Sequence, residues 1–154
     1  RLRIIGWGAL RHDLIYLVKK RQLEKFITFH DPVPNDKIAQ FIAEADVGIV
    51  PKRGGIFSDN ALSSKLLDFV SLGIPAVVSR TPVEQYYFDE NMVMFFEPEN
   101  PEDLARAVID LYRNPERRKQ LVRNANKFNN RHNWEHYKKI YYRVVDELCT
   151  NSTS

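Results

Sequence analysis

Short apolar runs that do not alternate with polar residues constrain the fold of this chain most. Val47–Val50 and Ala76–Ser79 are apolar at nearly every position, which is typical of strands covered on both faces. Three further strands are predicted at Leu2–Gly6, Phe26–Phe29 and Met92–Phe96. Because helical patterns lie between these runs, the sequence predicts an α/β fold with a parallel sheet and helices on both faces.

Helices are predicted where apolar residues recur three and four positions apart. Between the strands, the segments of this kind are His12–Arg21, Asp36–Ala45 and Asn60–Leu72. Asn35 precedes the second helix as an N-cap, and Asp59 or Asn60 serves the third in the same way. Gly73 and Pro75 then end the third helix, since glycine is a favoured C-terminal cap and proline cannot continue a helix.

The last third of the chain is predicted to be entirely helical. Helices start at Pro101 and Pro115, and the final helix starts near Asn133. A length of 154 residues is enough for one hydrophobic core. We therefore predict a Rossmann-like three-layer domain over residues 1–131, followed by a C-terminal helix and tail over residues 132–154.

Composition and charge exclude several classes of function. The net charge is only +3 and the two signs are mixed along the chain, so no nucleic-acid partner is expected. Cys149 is the single cysteine, which rules out an internal disulfide and favours a reducing, cytoplasmic location. No apolar run is long enough to span a membrane. The Asn-Ser-Thr sequence at Asn151 is expected to be a frayed tail.

Lys65 and Asp68 are the polar residues that the third predicted helix does not need for folding. They lie three residues apart on one helix face, away from the stripe formed by Leu62, Leu66 and Phe69. One interpretation is an exposed ion pair, which contributes about 0.3 kcal/mol. The other is a ligand site, because a helix N-terminus at the carboxyl end of a parallel sheet suits phosphate, and a carboxylate accepts hydroxyl groups. Spacing alone leaves both open.

The segment around this helix resembles the donor-binding region of retaining glycosyltransferases of family 4, also called group 1, which have the GT-B fold. Asp46-Val47 and Pro51 match the family's strand and loop, and Gly73-x-Pro75 matches the turn that follows its helix. Asp68 falls on the second of two carboxylate positions, and Lys65 matches a subset that makes surface polysaccharides. Weaker similarity covers nearly the whole chain, from the Gly6-Trp7-Gly8 turn to the last helix beginning near Trp134.

The resemblance implies a role for each matching residue. Asp68 would hold the ribose, and Asn60, at the first carboxylate position, would contact the transferred sugar. The diphosphate would meet four consecutive residues: Leu62, Ser63, Ser64 and Lys65. Pro32 and Val33 would lie near the base. No catalytic residue is assigned with certainty, and neither a metal nor a cofactor is expected, the nucleotide-diphospho-sugar being the substrate.

The resemblance also predicts the setting of the reaction. The full enzyme would transfer a hexose-type unit to an acceptor sugar or lipid-linked glycan, in cell-surface polysaccharide or glycolipid synthesis. The basic helix face is then a candidate for peripheral contact with the inner face of a membrane: Arg117, Arg118, Lys119 and Arg123. We expect the acceptor-binding domain, a central strand and a basic loop to be missing from this chain, which alone would be inactive.

Two departures keep alternatives open. Asn60 stands where the family has glutamate, and Asp68 is one methylene shorter than the usual residue. A non-catalytic nucleotide-binding module of the same fold is the first alternative. A nucleotide-sugar epimerase-like domain is the second; it requires Tyr-x-x-x-Lys on one helix, and Tyr112, Tyr137 and Tyr142 are not followed by lysine at that spacing.

Overall fold

The computed structural model describes residues 1–151. The five strands are β1 Leu2–Ile5, β2 Ile27–His30, β3 Gly48–Val50, β4 Ala76–Ser79 and β5 Met94–Phe96. The eight helices of the described residues are α1 Arg11–Lys20, α2 Asn35–Ala43, α3 Ile56–Asn60, α4 Ser64–Ser71, α5 Pro82–Tyr87, α6 Pro101–Arg113, α7 Pro115–Arg131 and α8 Trp134–Asn151. All strand pairs are parallel, which confirms the predicted α/β class.

The helix predicted over Asn60–Leu72 is wrong in its first turn. The structure has the short helix α3, then an extended segment, and only then α4. Ala61 has φ −107° and ψ 104°, and Ser63 has φ −74° and ψ 116°. Ser63, rather than Asp59 or Asn60, is therefore the N-cap of α4, and its side chain makes no capping hydrogen bond.

Two other local predictions also need correction. Asn35 is the first residue of α2 and not the residue before it. The short helix α5 has no counterpart among the predicted elements. Its six residues are too few for the three-and-four periodicity to show in the sequence.

The first of two compact units covers Arg1–Phe41. Its sheet pairs β1 with β2 in the register Leu2 to Ile27 through Ile5 to His30. Its apolar residues are at most half-buried, and none of residues 1–41 is fully buried.

The second unit begins at Ile42 and contains the sheet β3-β4-β5. Successive residues of β4 enter different clusters: Ala76 and Val78 belong to one, and Val77 belongs to the other. The first cluster includes Leu66 and Val70 from α4, and the second includes residues of α6 and α7. This sheet is therefore covered by helices on both faces, as its continuous apolar strands predict.

Asparagine caps begin the two long helices after β5. The side chains of Asn100 and Asn114 accept hydrogen bonds from the backbone N–H groups of Asp103 and Arg117, each at 3.0 Å. A proline at the first position of each helix has no N–H group that would need a partner. The predicted starts at Pro101 and Pro115 are confirmed.

Asp103 supplies a pH-dependent contribution to the stability of this region. Its carboxylate accepts the N–H of Glu97 at 2.8 Å and pairs with Arg106, and these contacts lower the pKa of Asp103 below 3.8, chiefly through the Glu97 bond. A lowered pKa means that the contribution is present at neutral pH and is lost as the pH falls below the ordinary value through the folded one. We expect Asp103→Asn to lower the melting temperature at pH 7, and the difference from wild type to shrink below pH 4. Thermal unfolding at a series of pH values measures this.

The basic face of α7 is largely engaged within the protein. Arg118 donates to the C-terminal carbonyl oxygens of Leu111 and Tyr112, Arg117 donates to the carbonyl of Glu90 at 2.7 Å, and Lys119 pairs with Glu116 at 2.8 Å. These side chains therefore have structural roles, and membrane contact by this face remains a prediction.

The last helix, α8, is the predicted helical extension. Much of its apolar side faces solvent, including Trp134, Tyr141 and Leu148. Residues 152–154 of the predicted tail lie outside the described residues. Within residues 1–151, no helix combines the length and apolar character that crossing a bilayer requires.

Candidate functional site

The candidate site lies in the second unit, at the carboxyl ends of β3 and β4. The chain leaves β3 at Pro51, passes through α3 and enters α4, so the N-terminus of α4 lies at this edge of the sheet. An open cleft of about 400 Å³ also lies here, between Pro51 and Arg53 on one side and Phe96 and Glu99 on the other. Ligands of open parallel sheets bind at this edge.

Lys65 and Asp68 both lie on α4 with exposed side chains. Leu66 and Val70 of the same helix are buried, so the predicted division of its faces is confirmed. Among the described residues, neither the Lys65 ammonium nor the Asp68 carboxylate has a hydrogen-bond or ion-pair partner. The exposed ion pair between them is therefore not formed, and both groups are available to a ligand.

Backbone donors gather in front of α4. In the described part of the chain, the N–H groups of Leu62, Ser64 and Lys65 have no acceptor. The N–H of Ser63 is instead used within the protein and donates to the Glu84 carboxylate at 3.3 Å. Free N–H groups at a helix start carry partial positive charge, which suits an anion.

Asn60 ends α3 and is exposed. Its side-chain amide donates to the carbonyl oxygen of Ile56 at 2.7 Å. The amide oxygen of Asn60 has no partner among the described residues, and an amide oxygen accepts hydroxyl protons. Contact with a donor sugar remains a prediction for this residue.

An ion pair that sequence reasoning missed lies directly beneath this segment. The Lys52 ammonium lies 2.9 Å from Glu84 Oε1 and 3.0 Å from Oε2, and Glu84 is fully buried. The hydroxyl of Thr81 also donates to this carboxylate. Nothing local in the sequence points to the pair, because its two residues are 32 positions apart.

The cations at this edge of the sheet differ in what neutralises them. Lys52 is paired with Glu84, and Arg80 is paired with Glu90 at 2.7 Å and with Glu97 at 2.8 Å. The hydrogen bond with Glu90, above all, raises the pKa of Arg80. Among the described residues, Arg53 and Lys65 have no acidic partner. The uncompensated positive charge therefore lies on these two.

Pro32 and Val33 lie in the first unit, in the loop between β2 and α2. Val33 is half-buried and Pro32 is exposed. Next to them, Asp31 pairs with Arg11 at 2.6 Å, which ties this loop to the start of α1. Their proximity to a nucleotide base remains a prediction.

The epimerase alternative needs one correction. Tyr16 is followed by Lys20 at the required spacing, a match that the sequence reasoning overlooked. Both residues are exposed on α1, in the first unit.

Across residues 1–151, His, Cys, Asp and Glu side chains form no group of three that would suit a metal ion.

Comparison with known families gives a match over most of the chain. Residues 1–128 match the family described as glycosyl transferases group 1. The O-antigen biosynthesis glycosyltransferase WclY of Escherichia coli is 34% identical over 101 residues, which is 66% of this chain and 26% of that protein. The chain thus spans about a quarter of the length of this relative.

Solved structures show the same fold. Sucrose-phosphate synthase from Thermosynechococcus elongatus matches 97% of this chain, and 38% of its own chain, with a TM-score of 0.83 at 18% identity. The Anabaena protein HepE, solved with UDP-glucose, matches 96% of this chain and 40% of its own, with a TM-score of 0.79 at 14% identity. The fold is thus the Rossmann-like α/β fold of GT-B glycosyltransferases. With the family match over residues 1–128, the chain belongs to the group 1 glycosyltransferases.

Proposed function

We propose that this chain is the donor-binding part of a retaining glycosyltransferase, which transfers a sugar from a nucleotide-diphospho-sugar to an acceptor. The observation that carries the proposal is the start of α4, where an unpaired lysine, an unpaired aspartate and free N–H groups meet in a group 1 chain. An anion and a pair of hydroxyl groups are what such a combination recognises.

Each group has a role in this proposal. The N–H groups of Leu62, Ser64 and Lys65, with the Lys65 ammonium, bind the diphosphate, and Ser63 lies between them. Asp68, one turn further along α4, accepts the ribose hydroxyls. Asn60 contacts the sugar, and Pro32 and Val33 lie near the base.

Catalysis then rests on charge stabilisation. Negative charge grows on the diphosphate as the bond to the sugar breaks, so donors fixed around it stabilise the transition state more than the ground state. No metal ion takes part in this proposal. The acceptor binds to a second domain outside this chain, so the chain alone does not turn over.

Two of the similar proteins support a choice of donor to test and a biosynthetic setting. HepE was solved with UDP and with UDP-glucose, so a uridine nucleotide is the first donor to test. WclY is named for O-antigen biosynthesis, which supports an acceptor in cell-surface polysaccharide or glycolipid synthesis.

Asp68→Ala tests the proposal. We expect UDP binding to weaken about tenfold or more, because a hydrogen bond to a charged group contributes about 1.5–3 kcal/mol. Protein-observed NMR titration with UDP and UDP-glucose measures the affinity and shows shifts over Leu62–Asp68. Asp110→Ala removes an exposed carboxylate from α6 and is the control. Unchanged affinity in the Asp68 variant, or no UDP binding by the wild-type chain, would contradict the proposal.

Asn60 favours a second candidate, a nucleotide-binding module that does not transfer sugar. One N–H of its side-chain amide is used within α3, and the amide lacks the charge of the family's glutamate. In that case UDP and UDP-glucose would bind equally, and Asn60→Ala would change neither affinity. A tighter UDP-glucose complex that weakens in Asn60→Ala favours the transferase.

A further inference from the structure

We infer that Lys52 and Glu84 are positioning residues, which hold the backbone of residues 61–63 in the conformation that receives the donor. The inference rests on the proposed function and adds to it a pair of residues that does not touch the ligand. It is based on the hydrogen bonds that the two side chains make within the protein.

The hydrogen bonds of the Lys52 ammonium are directed into the protein. An ammonium carries three protons, and Lys52 Nζ lies within hydrogen-bond distance of three acceptors. Two are the Glu84 oxygens, at 2.9 and 3.0 Å, and the third is the carbonyl oxygen of Ala61 at 2.6 Å. Because its charge is balanced by Glu84 and its side chain is only 16% exposed, we assign Lys52 to holding the protein backbone rather than to binding the diphosphate.

Glu84 holds the same segment two residues further on. Its Oε1 accepts the N–H of Ser63 at 3.3 Å, and its Oε2 accepts the hydroxyl of Thr81. Because the carboxylate is fully buried, water does not replace these partners, and losing one of them would leave a buried charge without its hydrogen bond, at a large cost. Its geometry is thus fixed.

The pair is itself anchored to the sheet. The backbone N–H of Lys52 donates to Ser79 Oγ at 2.7 Å, and Ser79 is fully buried at the end of β4. The ion pair thereby connects the loop after β3, the end of β4 and α5 with the segment before α4. A displacement of any one of these segments would therefore shift the others as well.

The consequence for the site is a backbone fixed at two points. The carbonyl of Ala61 and the N–H of Ser63 both turn toward the ion pair. Between them lies Leu62, whose N–H has no partner among the described residues. On either side are Asn60 and Ser64, the predicted sugar and diphosphate contacts. Because these groups are already ordered before the ligand arrives, binding does not cost the entropy of ordering them.

The test separates positioning from stability with a double variant. Lys52→Met alone leaves a buried, unpaired carboxylate and is expected to unfold readily. Lys52→Met combined with Glu84→Gln removes both charges. The glutamine oxygen can still accept the N–H of Ser63, and its NH2 group can donate to the hydroxyl oxygen of Thr81, which then acts as acceptor. We expect this protein to melt within a few degrees of wild type, to show shifted amide resonances over residues 61–64, and to bind UDP-glucose about tenfold more weakly.

Arg53→Met is the matched control, because it removes the same charge from the next residue of the loop without touching Glu84. We expect the amide resonances of Ala61 and Ser63 to stay in place in this variant. A purely structural role for Lys52 and Glu84 would leave the affinity of the folded double variant unchanged.

The outcomes are distinct. UDP-glucose binding by wild type together with equal binding by the folded double variant overturns the inference and leaves the proposed function standing. Failure of the wild-type chain to bind UDP or UDP-glucose overturns the proposed function itself, and the inference falls with it. Weaker binding by the double variant with intact stability supports both.

Discussion

Leu66→Ala is expected to lower the free energy of unfolding by about 2–5 kcal/mol, the range for deleting a buried leucine side chain. Leu66 is fully buried on the inner side of α4, in the cluster that joins this helix to β3 and β4. Removing it leaves a cavity directly under the helix that carries Lys65 and Asp68. Chemical denaturation measures the loss, and UDP titration of the folded variant shows whether the site loosens with the core.

Leu67→Ala is the matched control for this prediction. Leu67 is the next residue of the same helix and is 37% exposed. The same atoms are deleted from the same secondary structure, so helix propensity changes equally in both variants. We expect a loss well below that of Leu66→Ala. Equal losses for the two would mean that the described packing of α4 is wrong.

Gly48→Ala is expected to cost about 1–3 kcal/mol, the range for overpacking a filled core. A Cβ atom at Gly48 would lie 2.6 Å from Cδ1 of Phe69, and as near to two other atoms of that ring. Gly48 is a buried residue of β3, and Phe69 belongs to α4. The added methyl group must therefore push the ring, and α4 with it, away from the sheet. Denaturation gives the stability, and NMR shifts over α4 report the movement.

Two further variants test the cause. Gly54→Ala adds the same methyl group where no atom lies within 4 Å, so we expect little change in stability. Gly48→Ala combined with Phe69→Leu removes the clashing ring and should recover part of the loss of the single variant. Additive losses in the double variant would show that the ring is not the obstacle.

Much of the second unit could be predicted from sequence because its signals are local. Continuous apolar runs identify β3 and β4, and the prolines Pro101 and Pro115 identify two helix starts. Each signal depends on residues that are neighbours in the chain, so no knowledge of the fold is needed.

The break between α3 and α4 could not be predicted in this way. The sequence from Asn60 to Leu72 has a continuous helical pattern, whereas the extended segment that interrupts it contacts Lys52 and Glu84 across 9 and 21 positions. The burial of Glu84 could not be predicted either, because a glutamate in a short helix is ordinarily exposed. Tertiary contacts prevailed over local propensity here.

For the candidate site as well, one part could be predicted from sequence and another part could not. Helical spacing places Lys65 and Asp68 together on one face, and the structure confirms that placement. Their assignment to diphosphate and ribose came from the resemblance and stays a prediction. The neutralisation of Lys52 and Arg80, which leaves Arg53 and Lys65 as the unpaired cations, depends on partners that only the folded chain brings together.

The ion pair of Lys52 and Glu84 also bears on the order of folding. When the pair forms, it closes a loop of 32 positions. This closure costs conformational entropy before the contacts within the loop can offset it. We therefore expect the segment of residues 61–63 to take up its native conformation only after β3, β4 and α5 have come together. An incompletely folded chain would then lack the candidate site, and the hydrogen exchange of the Ser63 amide should report the assembly of the whole edge rather than the fraying of one helix.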